Sequence, residues 1–368
     1  MLDKKEKIFL ISSLIIWTIS FKFIVEVFQI ISARQKESSE YPAWSDFSLS
    51  LISCVIISAI RVILSYDPKD YTSTKSQLNG NGHGNENGNH HSNGVSTNGN
   101  SKPKKKKLNI FNYRSPFAIL GEKLIPESSE DREERIQRFC IVLFKFLYFV
   151  VSSVFGYYLL SSEPYFPSSL GGIGDRYSLW EYLPYQPISF SIKVYYHISL
   201  GYHLHSLLFH VFLMPKRNDY LEMMTHHFLA TFLIVFSYMI NYIRIGALVL
   251  FIHDVPDIPG YLVKASVMTP YKKTTMTIYS FLLMIWGYFR LYVFPKDIIS
   301  ATLGEETKIA PTQDYGRYFF FAMLVALFLM HIYWYVLFLI MGWAYASKGK
   351  TVDIQQNLGD DTKKTKAA

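Results

Sequence analysis

Histidines and carboxylates gather in three consecutive apolar runs of this chain. The run 189–214 carries His197, His203, His205 and His210. The run 224–243 is entered through Asp219 and Glu222 and opens on His226 and His227, and the run 245–265 holds His253, Asp254 and Asp257. Ionisable groups in apolar spans cost at least about 2.5 kcal/mol each, so by default they mark a functional site facing a bundle interior. A lone histidine in such a helix is more often a hydrogen-bonded packing residue, and His197, His205 and His331 are assigned to packing.

Helical geometry sorts the remainder. Asp219, Glu222 and His226 share a face by i+3 and i+4 spacing, whereas the adjacent His226 and His227 diverge by about 100°. One of the two can face a chamber while the other contacts a neighbouring helix. Asp254 and Asp257 share a face as well, although Pro256 and Pro259 are expected to distort that helix. At about 1.5 Å per residue, His226 and His227 lie about 15 Å beyond the turn at Lys216, and Asp254 and Asp257 lie roughly 10 to 15 Å from Lys264. The two groups can therefore meet at one depth. A histidine buried near carboxylates can act as general base or as nucleophile, with the carboxylates holding its tautomer and stabilising the imidazolium. That chemistry suits acyl transfer to an amine. Lys216 and Arg217 beside the opening would attract an anionic acyl carrier such as acyl-CoA, whose thioester needs no metal to activate it.

These groups need a membrane bundle to hold them. The chain has 368 residues, 50% of them hydrophobic and 17% aromatic, with a mean hydropathy of +0.13, too apolar for an ordinary soluble enzyme of this size. Runs near twenty residues suffice to cross about 30 Å of hydrocarbon. Eight are expected, near 8–31, 47–65, 139–160, 189–214, 224–243, 245–265, 274–294 and 318–343, giving an all-α polytopic transmembrane helical bundle. The first carries Lys22 and Glu26 and lacks a small-residue cleavage pattern, so it reads as a retained span. Cys54 and Cys140 lie inside apolar runs and read as buried thiols.

Basic residues alternate along the gaps. Lys4, Lys5 and Lys7, the stretch from Lys102 to Arg138, the pair Lys216 and Arg217, and the pair Lys272 and Lys273 all mark the cytosolic side, while the 161–188 gap has Arg176 as its basic residue and is assigned to the lumen. By parity the gap 295–317 is lumenal, and both termini are cytosolic. Residues 72–107, dominated by Asn, Gly, Ser and His and closing on Lys104 to Lys107, cannot bury enough apolar surface to fold and read as a disordered cytosolic linker. Its histidines are given no site role. The expected organisation is two N-terminal spans over 1–65, a cytosolic linker over 66–131, a catalytic membrane domain over 132–345 and a cytosolic tail over 346–368.

The segment K-R-N-D-Y-L-E-M-M-T-H-H from Lys216 to His227, then S-Y-M-I-N-Y-I-R-I-G from Ser237 to Gly246, and H-D-V-P-D from His253 to Asp257 resemble the Lag1 motif of ceramide synthases, within a TLC domain. The stretch R-I-Q-R-F-C from Arg135 is similar to the start of that domain. The resemblance implies transfer of a fatty acyl group from acyl-CoA to the amine of a sphingoid base, in the endoplasmic reticulum membrane and without a cofactor. It puts the family's essential pair on His226 and His227 and its acidic pair on Asp254 and Asp257. Supporting or substrate-binding roles fall to Asp219, Glu222, His203, His210, Lys216, Arg217, Arg244 and His253. Pro256 stands where the family usually has Ser, and Pro259, Gly260 and Tyr261 replace an apolar pair and an acidic residue. The homeobox-like insert of many animal members is replaced by the Asn/Gly tract, so no nucleic-acid role is implied; homo- or hetero-oligomers are compatible with the resemblance. The terminal K-T-K-A-A, Lys364 to Ala368, resembles a dilysine retrieval signal.

Other classes compete for the same residues. A membrane di-iron oxygenase would need H-x-x-H-H-type boxes, where this chain offers H-x-H, H-H and a lone H-D. A transporter with a His/Asp relay would call for paired broken helices or a repeat. A non-catalytic TLC protein that binds lipid or regulates membrane composition usually lacks the double histidine together with H-D-x-x-D. Acyl-chain length and the preferred sphingoid base are not encoded in any of these signals.

Overall fold

The computed structural model describes residues 25, 27–39, 41–65, 115–129, 132–213, 220–309 and 315–348. Most of the first expected span, the Asn/Gly tract, Lys216, Arg217, Asp219 and the terminal tail lie outside the described residues. Every regular element among the described residues is a helix. After helical residues 27–37 come α1 (Phe47–Ser65), a short α2 (Pro116–Leu124), α3 (Arg132–Leu160), α4 (Phe190–Phe212), α5 (Tyr220–Met239), α6 (Ile243–Ser266), α7 (Lys272–Trp286) and α8 (Tyr315–Lys348). α7 continues as a π-helical segment, Gly287–Ile299. Each expected run from residue 47 onward coincides with one of these helices.

Five helical stretches are long and apolar enough to cross a membrane: Trp44–Ser65, Arg132–Leu160, Ile243–Ser266, Lys272–Lys308 and Gly316–Ala344. The chain is a multi-pass membrane protein. α4 and α5, at 23 and 20 residues, have the length of a span. They fall outside the five because their inward faces carry the histidines.

α6 is the central helix. In its apolar window 61% of residues are buried by protein, against 17% for the window that contains α1. A helix apolar on every side belongs in the middle of a bundle, and α6 packs on α3, α4, α5, α7 and the π segment. Leu51, Ile52, Val55 and Ile56 of α1 are exposed, as expected of a peripheral helix facing lipid. Pro256 and Pro259 are accommodated inside α6 without ending it. Cys54 and Cys140 are both buried free thiols.

α1 joins the bundle along a seam of small residues, Ser50, Ser53, Cys54 and Ser58, which lets two backbones approach closely. A Cβ on Gly201 of α4 would stand 2.6 Å from Ser53 Cβ and 2.8 Å from Ser50 O. Two imidazoles clasp the seam: Ser50 Oγ lies 2.8 Å from His197 Nδ1, and Ser58 Oγ lies 2.8 Å from His205 Nδ1. Both rungs have the same sequence offset, so α1 and α4 run parallel. Since the Ser58 hydroxyl donates to Cys54 O at 2.7 Å, His205 Nδ1 must be the donor to Ser58. Overpacking such a contact costs about 1–3 kcal/mol, so Gly201→Leu is expected to lower the unfolding temperature of the purified protein and to broaden its gel-filtration peak. An unchanged melting curve would mean that α1 is not held here.

One end of the bundle carries the 161–189 loop. Arg176 Nη2 donates to Lys296 O at 2.6 Å and stands 3.7 Å from Asp297 Oδ1, and its Nη1 is 3.6 Å from Glu306 Oε1. The 161–188 and 295–309 stretches thus lie on one side, as the charge parity expects. The C-terminal ends of α4 and α6 lie at the opposite end, the turn end.

Candidate functional site

Five helices, α3, α4, α5, α6 and α8, and the π segment bring the polar residues of the interior together. His226 and His227 project from the second turn of α5, half-buried, their ring centres 5.5 Å apart. Adjacent positions on a helix diverge, and the two rings meet different neighbours: His226 lies edge-on to Trp334 of α8 at 5.0 Å, and His227 lies 5.4 Å from His210 of α4. The Nδ1 atoms of both rings are buried without a protein hydrogen-bond partner, as is Glu222 Oε2 one turn earlier. His210 stacks on Tyr220 at 4.7 Å, and its Nε2 donates to Tyr220 O at 3.2 Å. His203 of α4 lies within electrostatic reach of both members of the pair, with its Nδ1 buried and unpartnered.

The acidic pair comes from α6. Asp254, 3% exposed, accepts a 2.6 Å hydrogen bond at Oδ2 from Ser152 of α3. Asp257 Oδ1 accepts from Arg290 Nη2 at 2.6 Å, in an ion pair whose side chains are 27% and 4% exposed. The same Nη2 donates to His253 O at 2.7 Å. Pro256 and Pro259 lack N–H groups, so the carbonyls freed within α6 are those of Ile252 and Val255, and the His253 carbonyl that Arg290 reaches is not one of them. His253 Nδ1 lies 2.6 Å from Val249 O; a carbonyl only accepts, so Nδ1 carries the proton and Nε2 is the free lone pair, buried and without a protein partner. His331 of α8, fully buried, sits 4.7 Å from the His253 ring with both nitrogens unpartnered. Buried polar atoms are normally paired, and this concentration of unpaired donors and acceptors marks the place where a polar reactant would be held.

Arg290 is the residue the sequence reading passed over. It stands in the apolar run 274–294, and the rule that flagged the histidines applies to it equally. Its guanidinium covers Trp286 at 4.0 Å, and the π-helical segment that carries it is a backbone form that recurs at functional sites. His331, assigned to packing, touches the cluster. His197 and His205 instead spend their Nδ1 atoms on the α1 seam.

Arg244, included with the supporting residues, lies elsewhere. It opens α6, ten residues and so about 15 Å before Asp254, and its Nη1 and Nη2 donate to Ser178 O and, at 3.3 Å, to Pro187 O of the loop end. Asn241 Nδ2 holds the same loop through Pro184 O at 2.8 Å. Arg244→Met is therefore expected to lower thermal stability by about 1–3 kcal/mol while leaving the turnover number of the folded protein within a few-fold. A large fall in turnover at unchanged stability would place Arg244 in the chemistry. Among the described residues no group of three or more His, Cys, Asp or Glu side chains is arranged to hold a metal ion.

Comparison with known proteins matches this bundle to a family. The chain is 32% identical to ceramide synthase 4 of Mus musculus over 234 residues, covering 62% of this chain and 56% of that protein. It is 29% identical to ceramide synthase hyl-2 of Caenorhabditis elegans over 261 residues, 67% and 74% of the two chains. Against an ASC1-like protein of Solanum lycopersicum it is 27% identical over 253 residues, 66% and 79%. The chain spans a little over half the length of the mammalian relative. The model of the TRAM, LAG1 and CLN8 family, the TLC domain, matches residues 138–340, which takes in α4 to α7, most of α3 and α8, and every residue of the cluster. With more than half of its length matched, the chain belongs to the TLC-domain family.

Proposed function

We propose that this protein is a ceramide synthase, transferring the acyl group of an acyl-CoA to the amino group of a sphingoid base. The observation that carries the reading is the convergence of the double histidine on α5 with the Arg290–Asp257 pair and His253, in a TLC domain whose named relatives include ceramide synthases. The amine of a sphingoid base is mostly protonated at neutral pH and must lose a proton before its nitrogen attacks the thioester carbonyl. One imidazole of the pair takes that proton, or first accepts the acyl group as an acyl-imidazole that the amine then cleaves. In either route the C–N bond of the amide forms, the C–S bond breaks and CoA leaves as its thiol. No cofactor is required beyond the co-substrate. Asp257 would fix Arg290, which lies within electrostatic reach of His226, while Asp254 is tied to Ser152.

The site lies within reach of the turn end, which the charge count assigns to the cytosol, where acyl-CoA is available. Residence in the endoplasmic reticulum and cytosolic termini belong to the same reading. Purified protein given sphinganine and a mixture of acyl-CoAs of different length is expected to yield N-acylated product detectable by mass spectrometry, with the product distribution reporting chain-length preference. No N-acylated product with any acyl-CoA would favour a non-catalytic lipid-binding TLC protein.

A further inference from the structure

A second cluster lies between the catalytic residues and the turn end, and it is cationic. Lys145 of α3 and Lys264 of α6 both lie over the Tyr261 ring, their Nζ atoms 5.6 and 5.1 Å from its centre. Arg61, one turn before the end of α1, covers Phe209 of α4 at 3.2 Å. Lys145 is within electrostatic reach of Arg61 and Lys264 as well as of Asp257. Among the described residues neither Arg61 nor Lys145 pairs with a carboxylate, and Asp257, the nearby carboxylate, is already engaged by Arg290. Like charges gathered in a bundle repel and lose hydration, so Arg61 and Lys145, brought together from α1 and α3 with no carboxylate partner among the described residues, call for an anion. Rings floor it: Tyr148 stacks on Tyr202 at 3.5 Å, Phe149 stacks on Tyr261 at 5.4 Å, and the Tyr148 hydroxyl is buried without a protein partner.

We propose that Arg61, Lys145 and Lys264 form a phosphate-binding subsite that takes the diphosphate of the acyl carrier. The assignment rests on the acyltransferase reading. Along α6, Lys264 stands seven residues, about 10 Å, nearer the turn end than Asp257, so phosphates held at the lysines leave the flexible pantetheine arm to carry the thioester inward to the histidines. Lys145 joins the two regions, since His227 is also within its electrostatic reach. An anionic phospholipid headgroup offers the same phosphate chemistry. It would dock from the lipid-facing periphery, whereas this cluster lies between α1, α3 and α6.

The test compares acyl-CoA with the N-acetylcysteamine thioester of the same fatty acid, which keeps the reacting bond and lacks every phosphate. Loss of one charge-assisted phosphate contact is worth about ten- to a hundredfold. In Lys145→Met and in Arg61→Met, protein reconstituted in phosphatidylcholine nanodiscs is expected to show the ratio of kcat/KM for acyl-CoA to that for the short thioester falling by that factor, chiefly through KM. A variant that merely misfolds lowers both substrates together and leaves the ratio unchanged, which overturns the assignment. A ratio that falls only when phosphatidic acid is added to the discs assigns the cluster to a lipid headgroup and also overturns it. Direct calorimetric binding of free CoA, about ten- to a hundredfold weaker in the variants, keeps the subsite testable apart from catalysis. A wild-type protein that binds CoA but acylates nothing would sink the acyltransferase reading alone, and one whose CoA affinity is untouched by either substitution would sink the subsite.

Discussion

His226→Ala and His227→Ala are each expected to reduce N-acylation at least about a hundredfold, the scale on which a positioned base or nucleophile acts. Each ring occupies its own surroundings: His226 abuts Trp334, and His227 abuts His210. Neither can therefore take over the other's position without a rotation of α5. Because both rings are half-buried and their Nδ1 atoms make no hydrogen bond to the protein, truncation removes no structural tie, and the variants should elute and melt close to wild type. The measurement is initial rate on detergent-purified protein alongside a melting curve. Full activity in both variants would remove the pair from the chemistry, and activity lost in step with the folded fraction would give it a packing role.

Arg290→Met should be as severe, for a different reason. Its guanidinium pairs with Asp257 and donates to the His253 carbonyl from a position with 4% side-chain exposure. Removing one partner of a buried pair leaves an uncompensated charge and typically costs about 3–5 kcal/mol. Melting temperature and rate should both fall. The double variant Arg290→Met with Asp257→Asn removes both charges, so it should recover much of the lost stability while remaining inactive, since the guanidinium within electrostatic reach of His226 is gone. If the two substitutions prove additive in stability, the pair is not energetically coupled and Asp257 must be held by other groups.

Much of the site could be read from residue order because helical rise is a fixed length per residue. The expected apolar runs from residue 47 onward each coincide with a helix, whereas α2, Pro116–Leu124, falls in the stretch expected to be linker. The same rise separates Arg244 from Asp254 by about 15 Å, so its place at the loop end was also accessible from spacing, though the motif grouped the two together. Partners across helices were not legible. Periodicity says that Ser50 and His197 each face inward, and nothing local says that they face each other. Gly201 carries no signal distinguishing a close helix approach from a simple small residue. Arg290 was legible in principle as a charge within an apolar run, but its pairing with Asp257 depends on the π-helical continuation of α7, which no sequence period announces.

The most direct measurement of the central claim follows both products of a single reaction. Purified wild-type protein, given sphinganine and one acyl-CoA, is expected to release free CoA thiol and N-acylated sphinganine in equal amounts, with both falling at least about a hundredfold in His226→Ala and His227→Ala protein of unchanged fold. Thiol release without amide formation, or amide formation that persists in both variants, would contradict acyl transfer at the double histidine.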